Sequence, residues 1–223
     1  MARTNTGSGA APTRRERGAA TRARILDAAV ASIDAVGFAG TTAQQIANGA
    51  GVSVGAVQHH FPAKSEILDA VLERSFESLA RRFDGIEVDG LSLAERIDLF
   101  VDRAWLHYGS AAFRSTLVIL SNAPDATARD ARSEAALRAS AARATTLWNR
   151  VFADIAMPAK RRREIRDYAF ASLSGLAIAN RLQPDAAAAR IQTEALKIAL
   201  AAVFEAARSR ARDPRARANR RGP

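Results

Sequence analysis

The sequence predicts an all-α protein of about nine helices. In one stretch after another, apolar residues recur three and four positions apart, which is the pattern of a helix with one buried face. We find no run of alternating apolar and polar residues, which is the pattern of a half-buried strand. Glycines, prolines and hydroxyl caps lie between the stretches, where helices end and begin.

The positive charge is concentrated at the two ends of the chain. Residues 1–24 carry six arginines and one glutamate, residues 208–223 carry seven arginines and one aspartate, and the whole chain has a net charge of +10. We expect residues 1–17 to be a disordered basic arm and residues 209–223 a disordered arginine-rich tail. Such ends attract phosphate without reading sequence, or serve only as soluble termini.

Composition excludes several classes of protein. The chain has no cysteine, so it forms neither disulfides nor thiolate metal sites. It has no apolar run of about 18 residues and no signal-peptide core, so we expect a cytoplasmic protein without membrane spans. We find no glycine-rich phosphate loop, nucleophile elbow or histidine metal motif, and therefore predict no enzyme, no catalytic residue, no metal and no cofactor.

Residues 18–64 are predicted to form a domain of three helices. The first runs from about residue 19 to Val36, where Gly37 stops it, and its apolar stripe would pack across the next two. The second spans about residues 42–48. Thr42 is a candidate N-cap, because a glutamine three residues later gives the spacing of a capping box.

A glycine turn separates the second helix from the third. Residues 49–51 interrupt the second helix, Ser53 caps the third over residues 54–60, and Phe61-Pro62 ends it. This order is that of a helix-turn-helix, whose second helix enters the major groove of DNA. Residues 38–63 contain no acidic residue, which suits a surface that faces DNA.

The motif TT..QIA..AGVSVGAV..HF..K..IL, from Thr41 onward, resembles the DNA-binding domain of the tetracycline-repressor (TetR) family. The match runs from about Ile25 to Leu72. It departs at Gln58 and His59, where the family usually carries aromatic residues, most often tyrosine. The resemblance implies a homodimeric transcriptional regulator, in the first instance a repressor, that a small-molecule effector releases from a palindromic double-stranded DNA operator.

Ten residues are candidates for DNA contact. Gln58 has the groups to pair bidentately with adenine, and His59 to donate to a base or a phosphate. Residues near the helix starts and Lys64 are placed to contact phosphates, which set register without reading sequence. The set is Thr41, Thr42, Gln44, Ser53, Val54, Gly55, Gln58, His59, His60 and Lys64.

Residues 65–208 are predicted to form a larger helical domain. We expect its helices over about residues 64–83, 92–108, 111–121, 126–155, 158–182 and 184–208. The family resemblance implies that this domain binds the ligand and dimerises. The candidate ligand contacts, which are alternatively core residues, are Phe100, Trp105, His107, Tyr108, Phe113, Arg114, Leu117, Asn122, Trp148, Phe152 and Phe170.

The last two helices carry small and apolar residues at regular three- and four-residue spacing, as a helical dimer interface does. The same spacing also fits helices that face only the monomer core, but the resemblance implies a four-helix bundle between two subunits. The candidate interface residues are Ile165, Tyr168, Ser172, Gly175, Ala179, Leu182, Ile191, Ala195, Ile198 and Ala202.

Two other functions fit parts of the sequence. The arginine-rich ends would suit a non-specific architectural DNA binder. The departure at Gln58 and His59 would suit a dimeric ligand- or partner-binding protein whose DNA reader has drifted.

Overall fold

The computed structural model describes residues 13–121 and 131–212, and these residues form helices and no strand. The predicted all-α class is therefore confirmed for the described chain. Its nine helices are α1 (Arg14–Gly40), α2 (Ala43–Ala50), α3 (Val54–His60), α4 (Lys64–Arg81), α5 (Leu93–Tyr108), α6 (Ala111–Ser121), α7 (Ala131–Phe152), α8 (Ala159–Leu182) and α9 (Ala186–Arg212).

The chain divides into two compact units, Met1–Ala70 and Val71–Pro223, with the boundary inside α4. In the first unit, α1 packs against α2 and α2 against α3. Apolar side chains from all three helices form its core, as their spacing predicts. The core residues of α1 to α3 are Ile25, Leu26, Ala28, Ala29, Ile33, Ile46, Ala47, Ala50 and Val57.

The second unit is built around α5, which packs against each of α6, α7, α8 and α9. Aromatic rings fill its centre: Phe100 lies 5.1 Å from Trp148 and 5.6 Å from Phe152, measured between ring centroids. Arg96 of α5 is almost fully buried, where it bonds to the Val151 carbonyl and the Asp154 carboxylate. That carboxylate accepts a charge-assisted hydrogen bond, which lowers the pKa of Asp154.

Two helices extend further than the sequence predicted. Thr13 and Glu16 form a capping box that starts α1 at Arg14, so residues 14–17 are helical and the expectation of a disordered arm over them was wrong. At the other end α9 continues to Arg212, so residues 209–212 are helical as well. The predicted start of α7, at about residue 126, lies outside the described residues.

Glycines with positive φ mark two of the predicted breaks. Gly37 (φ 76°, ψ 178°) interrupts α1, as expected from the sequence. The turn after α2 is tighter than predicted: Gly49 and Ala50 are helical, and Gly51 alone adopts the left-handed conformation (φ 63°, ψ 41°). One left-handed residue suffices to end a helix, because it turns the chain while its N–H still bonds back to the helix.

A helix must be both long and apolar to cross the hydrocarbon core of a lipid bilayer. None of the described helices meets both requirements.

Candidate nucleic-acid interface

Reciprocal hydrogen bonds fix the start of α2. The Gln45 N–H donates to the Thr42 hydroxyl (3.2 Å), and the Thr42 N–H donates to the Gln45 side-chain oxygen (2.9 Å). This capping box satisfies two backbone donors that the first turn would otherwise leave without partners. Ile46 and Ala47 point into the core, so α2 is held both at its start and along one face.

The boundaries of α3 are those predicted from the sequence. The Ser53 hydroxyl accepts from the Ala56 N–H (3.1 Å), and the Phe61 N–H closes the last turn on the Val57 carbonyl (2.8 Å). Val57 is 1% exposed and anchors the helix. The opposite side of α3 is exposed.

We call this exposed side the α3 outer face and define it by Gly55, Gln58 and His59. Successive residues of a helix are 100° apart, which places these three side by side and away from Val57. A Cβ added at Gly55 would meet only the Ser53 hydroxyl, at 3.8 Å, so the face is open there. Its two side chains, an amide and an imidazole, are both able to donate and accept hydrogen bonds.

The structure corrects one of the ten candidates for DNA contact. Thr41 is 2% exposed. Its hydroxyl donates to the Gly37 carbonyl (2.8 Å) and accepts from the Ser32 hydroxyl (3.1 Å). The side chain therefore holds the break at Gly37 within α1 and cannot contact phosphate.

Lys64 is exposed at the start of α4, but its ammonium group already has a protein partner. It donates to the Phe38 carbonyl (2.8 Å) and lies 4.5 Å above the centre of the Phe38 ring. The ammonium has three donors, so the remaining two are available to a phosphate. Lys64 thus fixes the start of α4 to the last turn of α1, and its phosphate contact stays a prediction.

The remaining candidates lie on or beside the exposed side of α2 and α3. Gln44 is exposed and donates to the Asn48 side chain (2.9 Å), while Val54 and His60 are half-buried. The rings of His59 and His60 meet edge to face, with centroids 5.5 Å apart. No group of three metal-ligating side chains occurs among residues 13–121 and 131–212.

One residue beside α3 was not among the candidates. The Arg22 guanidinium of α1 stacks 4.8 Å from the centre of the Phe61 ring, and Phe61 directly follows α3. The contact joins residues 39 positions apart in the chain. No local spacing in the sequence indicates such a contact.

Comparison with known proteins identifies this domain. Residues 25–71 match the family model described as "Bacterial regulatory proteins, tetR family". SrpR of Pseudomonas putida, an HTH-type transcriptional regulator, is 41% identical over 85 residues, which are 38% of this chain and 34% of SrpR. TtgW, an uncharacterized HTH-type transcriptional regulator of the same species, is also 41% identical over 85 residues, which are 38% of this chain and 54% of TtgW.

This match assigns residues 25–71 to the tetR family of bacterial regulatory proteins. Solved structures support the fold beyond the matched domain. A transcriptional regulator from Rhodococcus sp. Rha1 superposes with a TM-score of 0.68 at 21% identity, covering 83% of this chain and 97% of that one. A tetR-family regulator from Streptomyces coelicolor gives 0.69 at 20% identity, covering 93% and 87%. The sequence matches span only about a third to a half of the curated relatives.

Most of the candidate ligand contacts lie in or against the core of the second unit. Phe100 contacts Trp148, Phe152 and Phe170, and the rings of Tyr108 and Phe113 pack at a tilt with centroids 4.3 Å apart. Leu117 and Trp105 are half-buried against the same core, whereas Arg114 donates to the Gly109 carbonyl (3.0 Å). Asn122 lies outside the described residues.

Two buried nitrogens of this core have no hydrogen-bond partner among the described residues. They are Nδ1 of His107 and Nε1 of Trp148, and both side chains are 1% exposed. Burial, and then the charge of Arg82, lowers the pKa of His107 to about 4. Burial also raises the pKa of Tyr108 above its ordinary value. The His107 and Tyr108 side chains are therefore uncharged at neutral pH.

The candidate dimer residues lie on an outer face of the second unit, with one exception. Ile165 is 1% exposed and belongs to the core, so its assignment to the interface was wrong. The other nine residues lie between the buried residues of α8 and α9 in the sequence, and their side chains are exposed or half-exposed. We call them the α8–α9 outer face: Tyr168, Ser172, Gly175, Ala179, Leu182, Ile191, Ala195, Ile198 and Ala202.

Proposed function

We propose that this chain is a transcriptional regulator that reads duplex DNA with the α3 outer face. One observation carries the proposal: a short helix, capped by Ser53 and anchored by Val57, presents Gln58 and His59 to solvent within an acid-free segment. A helix held in this way is the element that enters a major groove in helix-turn-helix proteins.

Six residues of the interface have proposed roles, either in reading bases or in contacting phosphates. Gln58 pairs with the N6 and N7 groups of an adenine, which is the pairing that glutamine makes in the major groove. His59 donates to a neighbouring base edge or phosphate. Thr42, Gln44, Ser53 and Lys64 contact phosphates and fix the register of the helix on the duplex.

The α8–α9 outer face supports a proposed homodimer. Leu182 is 77% exposed, Ile198 72% and Ile191 65%, although all three are large apolar residues. Exposed apolar residues that recur along two neighbouring helices are typical of a protein–protein interface rather than of scattered surface positions. A second copy of the chain covers this face in the proposed dimer, which brings two α3 helices to one palindromic operator.

The proposed regulator is a cytoplasmic repressor without enzymatic activity, and a small ligand in the second unit releases it from DNA. The unpartnered nitrogens of His107 and Trp148 support a ligand that supplies hydrogen-bonding atoms. The rings of Phe100 and Phe152, which pack on Trp148, favour an uncharged, largely aromatic or aliphatic molecule. A compound of this class should reduce operator retention, and a charged analogue of similar size should not.

Selection of binding sites from random duplex DNA at physiological salt tests the proposal. We expect one palindrome, with half-sites about one helical turn or more apart. The Gln58→Ala variant should then lose about 1–3 kcal/mol of specific binding energy and relax the preference at one position of each half-site. The Gln183→Ala variant, altered at an exposed glutamine of the second unit, is the control.

Other outcomes of the selection favour the alternative functions. Retention of DNA without an enriched motif would favour an architectural DNA binder. Failure to retain any duplex would favour a dimeric ligand- or partner-binding protein. An operator affinity that is unchanged in Gln58→Ala would remove Gln58 from the base-reading set.

A further inference from the structure

We propose that the start of α1, residues 14–24, makes a second contact with the phosphate backbone of duplex DNA, beyond the base pairs that the α3 outer face reads. We call this segment the arginine extension. The proposal rests on the proposed function for its partner, because it takes the duplex to be the one that α3 approaches. It adds a surface on α1 that lies outside the helix-turn-helix.

The arginine extension is a folded helix that projects beyond the packed part of the first unit. Its residues are all exposed or half-exposed, and burial in α1 begins only at Ile25. A Cβ added at Gly18, near its middle, would meet nothing within 4 Å. The capping box of Thr13 and Glu16 starts the helix, so its first turn is held by its own hydrogen bonds.

The extension is strongly basic, and its one acid is already engaged. It contains five arginines, Arg14, Arg15, Arg17, Arg22 and Arg24, and one acidic residue. That residue, Glu16, accepts the backbone N–H of Thr13 at 2.7 Å, and these hydrogen bonds lower its pKa. The carboxylate therefore stays ionised and caps the helix, while the arginine side chains remain exposed.

The direction of the arginines distinguishes a binding surface from a solubilising one. Charges that only keep a helix soluble are expected on the face opposite its core. Residues seven or eleven positions apart in a helix share a side. Arg22 is seven residues before the buried Ala29, and Arg14 is eleven before the buried Ile25. These arginines thus continue the inward side of α1, the side that packs against α2.

The stacking of Arg22 on Phe61 places the base of the extension beside the end of α3. From Arg22 to Arg14 the helix rises about 12 Å, at about 1.5 Å per residue. This length corresponds to about three or four base pairs along a duplex. A duplex against the α3 outer face would therefore have flanking phosphates within reach of the arginines, which bind phosphate bidentately.

The test is the salt dependence of DNA binding by a triple variant, Arg14→Gln, Arg15→Gln and Arg17→Gln. Glutamine keeps the helix propensity of arginine and removes only the charge. The control variant, Arg143→Gln, Lys160→Gln and Arg163→Gln, removes the same charge from exposed positions of the second unit. Binding to a mixed-sequence duplex of about 40 base pairs is followed by fluorescence anisotropy between about 50 and 300 mM KCl.

Each phosphate that a protein neutralises contributes about 0.9 to the slope of log K against log salt. We expect the triple variant to bind with a slope that is shallower by about 2 to 3 per bound subunit, and more weakly by at least about tenfold at about 100 mM salt. The control should keep the wild-type slope. A triple variant with the wild-type slope and an unchanged circular dichroism spectrum would overturn the proposal.

The salt series and the site selection fail in different ways. If the selection recovers a palindrome but the slope is unchanged, only the arginine extension is refuted. If no motif is recovered but the slope still depends on the three arginines, the extension stands and the base-reading role of α3 is refuted. A wild-type protein that binds no duplex would overturn both proposals.

Discussion

His107 shows how burial changes the chemistry of a single side chain. It is 1% exposed, its ring meets Tyr108 and Phe113 edge to face, and its pKa is lowered from 6.5 to about 4. Between these two values the unfolded chain binds a proton that the folded protein excludes. The free energy of unfolding must therefore fall as the pH drops below about 6.5.

We predict that this histidine costs about 2 kcal/mol of stability between pH 7 and pH 5. Urea unfolding of the wild type and of His107→Leu at both pH values and one protein concentration measures it. The variant should lose about 2 kcal/mol less than the wild type over this interval. Leu106→Ala, altered at an exposed residue that carries no titratable group, should keep the wild-type pH dependence. Equal losses in His107→Leu and the wild type would show that the buried ring does not titrate in this way.

Among the elements, the join between α2 and α3 depends most on one residue. Gly51 ends α2 in the left-handed conformation, and its N–H bonds back to the Ala47 and Asn48 carbonyls. A residue with a Cβ is strained there, although a Cβ at Gly51 would meet no atom within 4 Å. The cost of a substitution is thus purely conformational.

We predict that Gly51→Ala lowers the free energy of unfolding by about 1–2 kcal/mol. Gly18→Ala is the matched control: Gly18 is helical and also has open space around it, so the alanine should raise stability by up to about 1 kcal/mol. Chemical unfolding of both variants measures the difference. A Gly51→Ala variant as stable as the wild type would mean that the turn relaxes to another conformation.

The same elements show which parts of the structure are predictable from the sequence. The limits of α3 and the capping box of α2 depend on residues within four positions, so local patterns were sufficient for both. The bond from Lys64 to the Phe38 carbonyl joins residues 26 positions apart. No spacing rule indicates such a contact, because it exists only after the helices have packed.

The two wrong site assignments have the same origin. Thr41 lies near a helix start in the sequence, but the packing of α1 places its hydroxyl against Gly37 and Ser32. Ile165 fits the apolar spacing of α8, and so do the residues of the opposite face. A helix that is apolar on two sides does not reveal which side is the core, and the structure decides it by burying Ile165 together with Ala169 and Leu173.

At the scale of the whole molecule, the α8–α9 outer face determines the state of assembly in the proposed dimer. On α9 its residues lie opposite the core stripe: Ile198 is 72% exposed, and Leu196 and Leu200 on either side are buried. Burying one large aliphatic side chain stabilises an association by about 1.5–3 kcal/mol. In a symmetric dimer each such residue contributes twice, so one substitution changes two positions.

We predict that Ile198→Asp converts the dimer to a monomer by raising its dissociation constant at least about 100-fold. Each subunit would then bury a carboxylate in the interface in place of an apolar side chain. The control is Leu106→Asp, because Leu106 is 57% exposed on α5 and is not part of this face. Sedimentation velocity over a concentration series distinguishes the two states.

The monomeric variant should also lose the operator affinity that depends on two linked half-sites, while its helical content stays unchanged. If Ile198→Asp and Leu182→Asp both sediment as the wild-type dimer, then the subunits associate through a different surface.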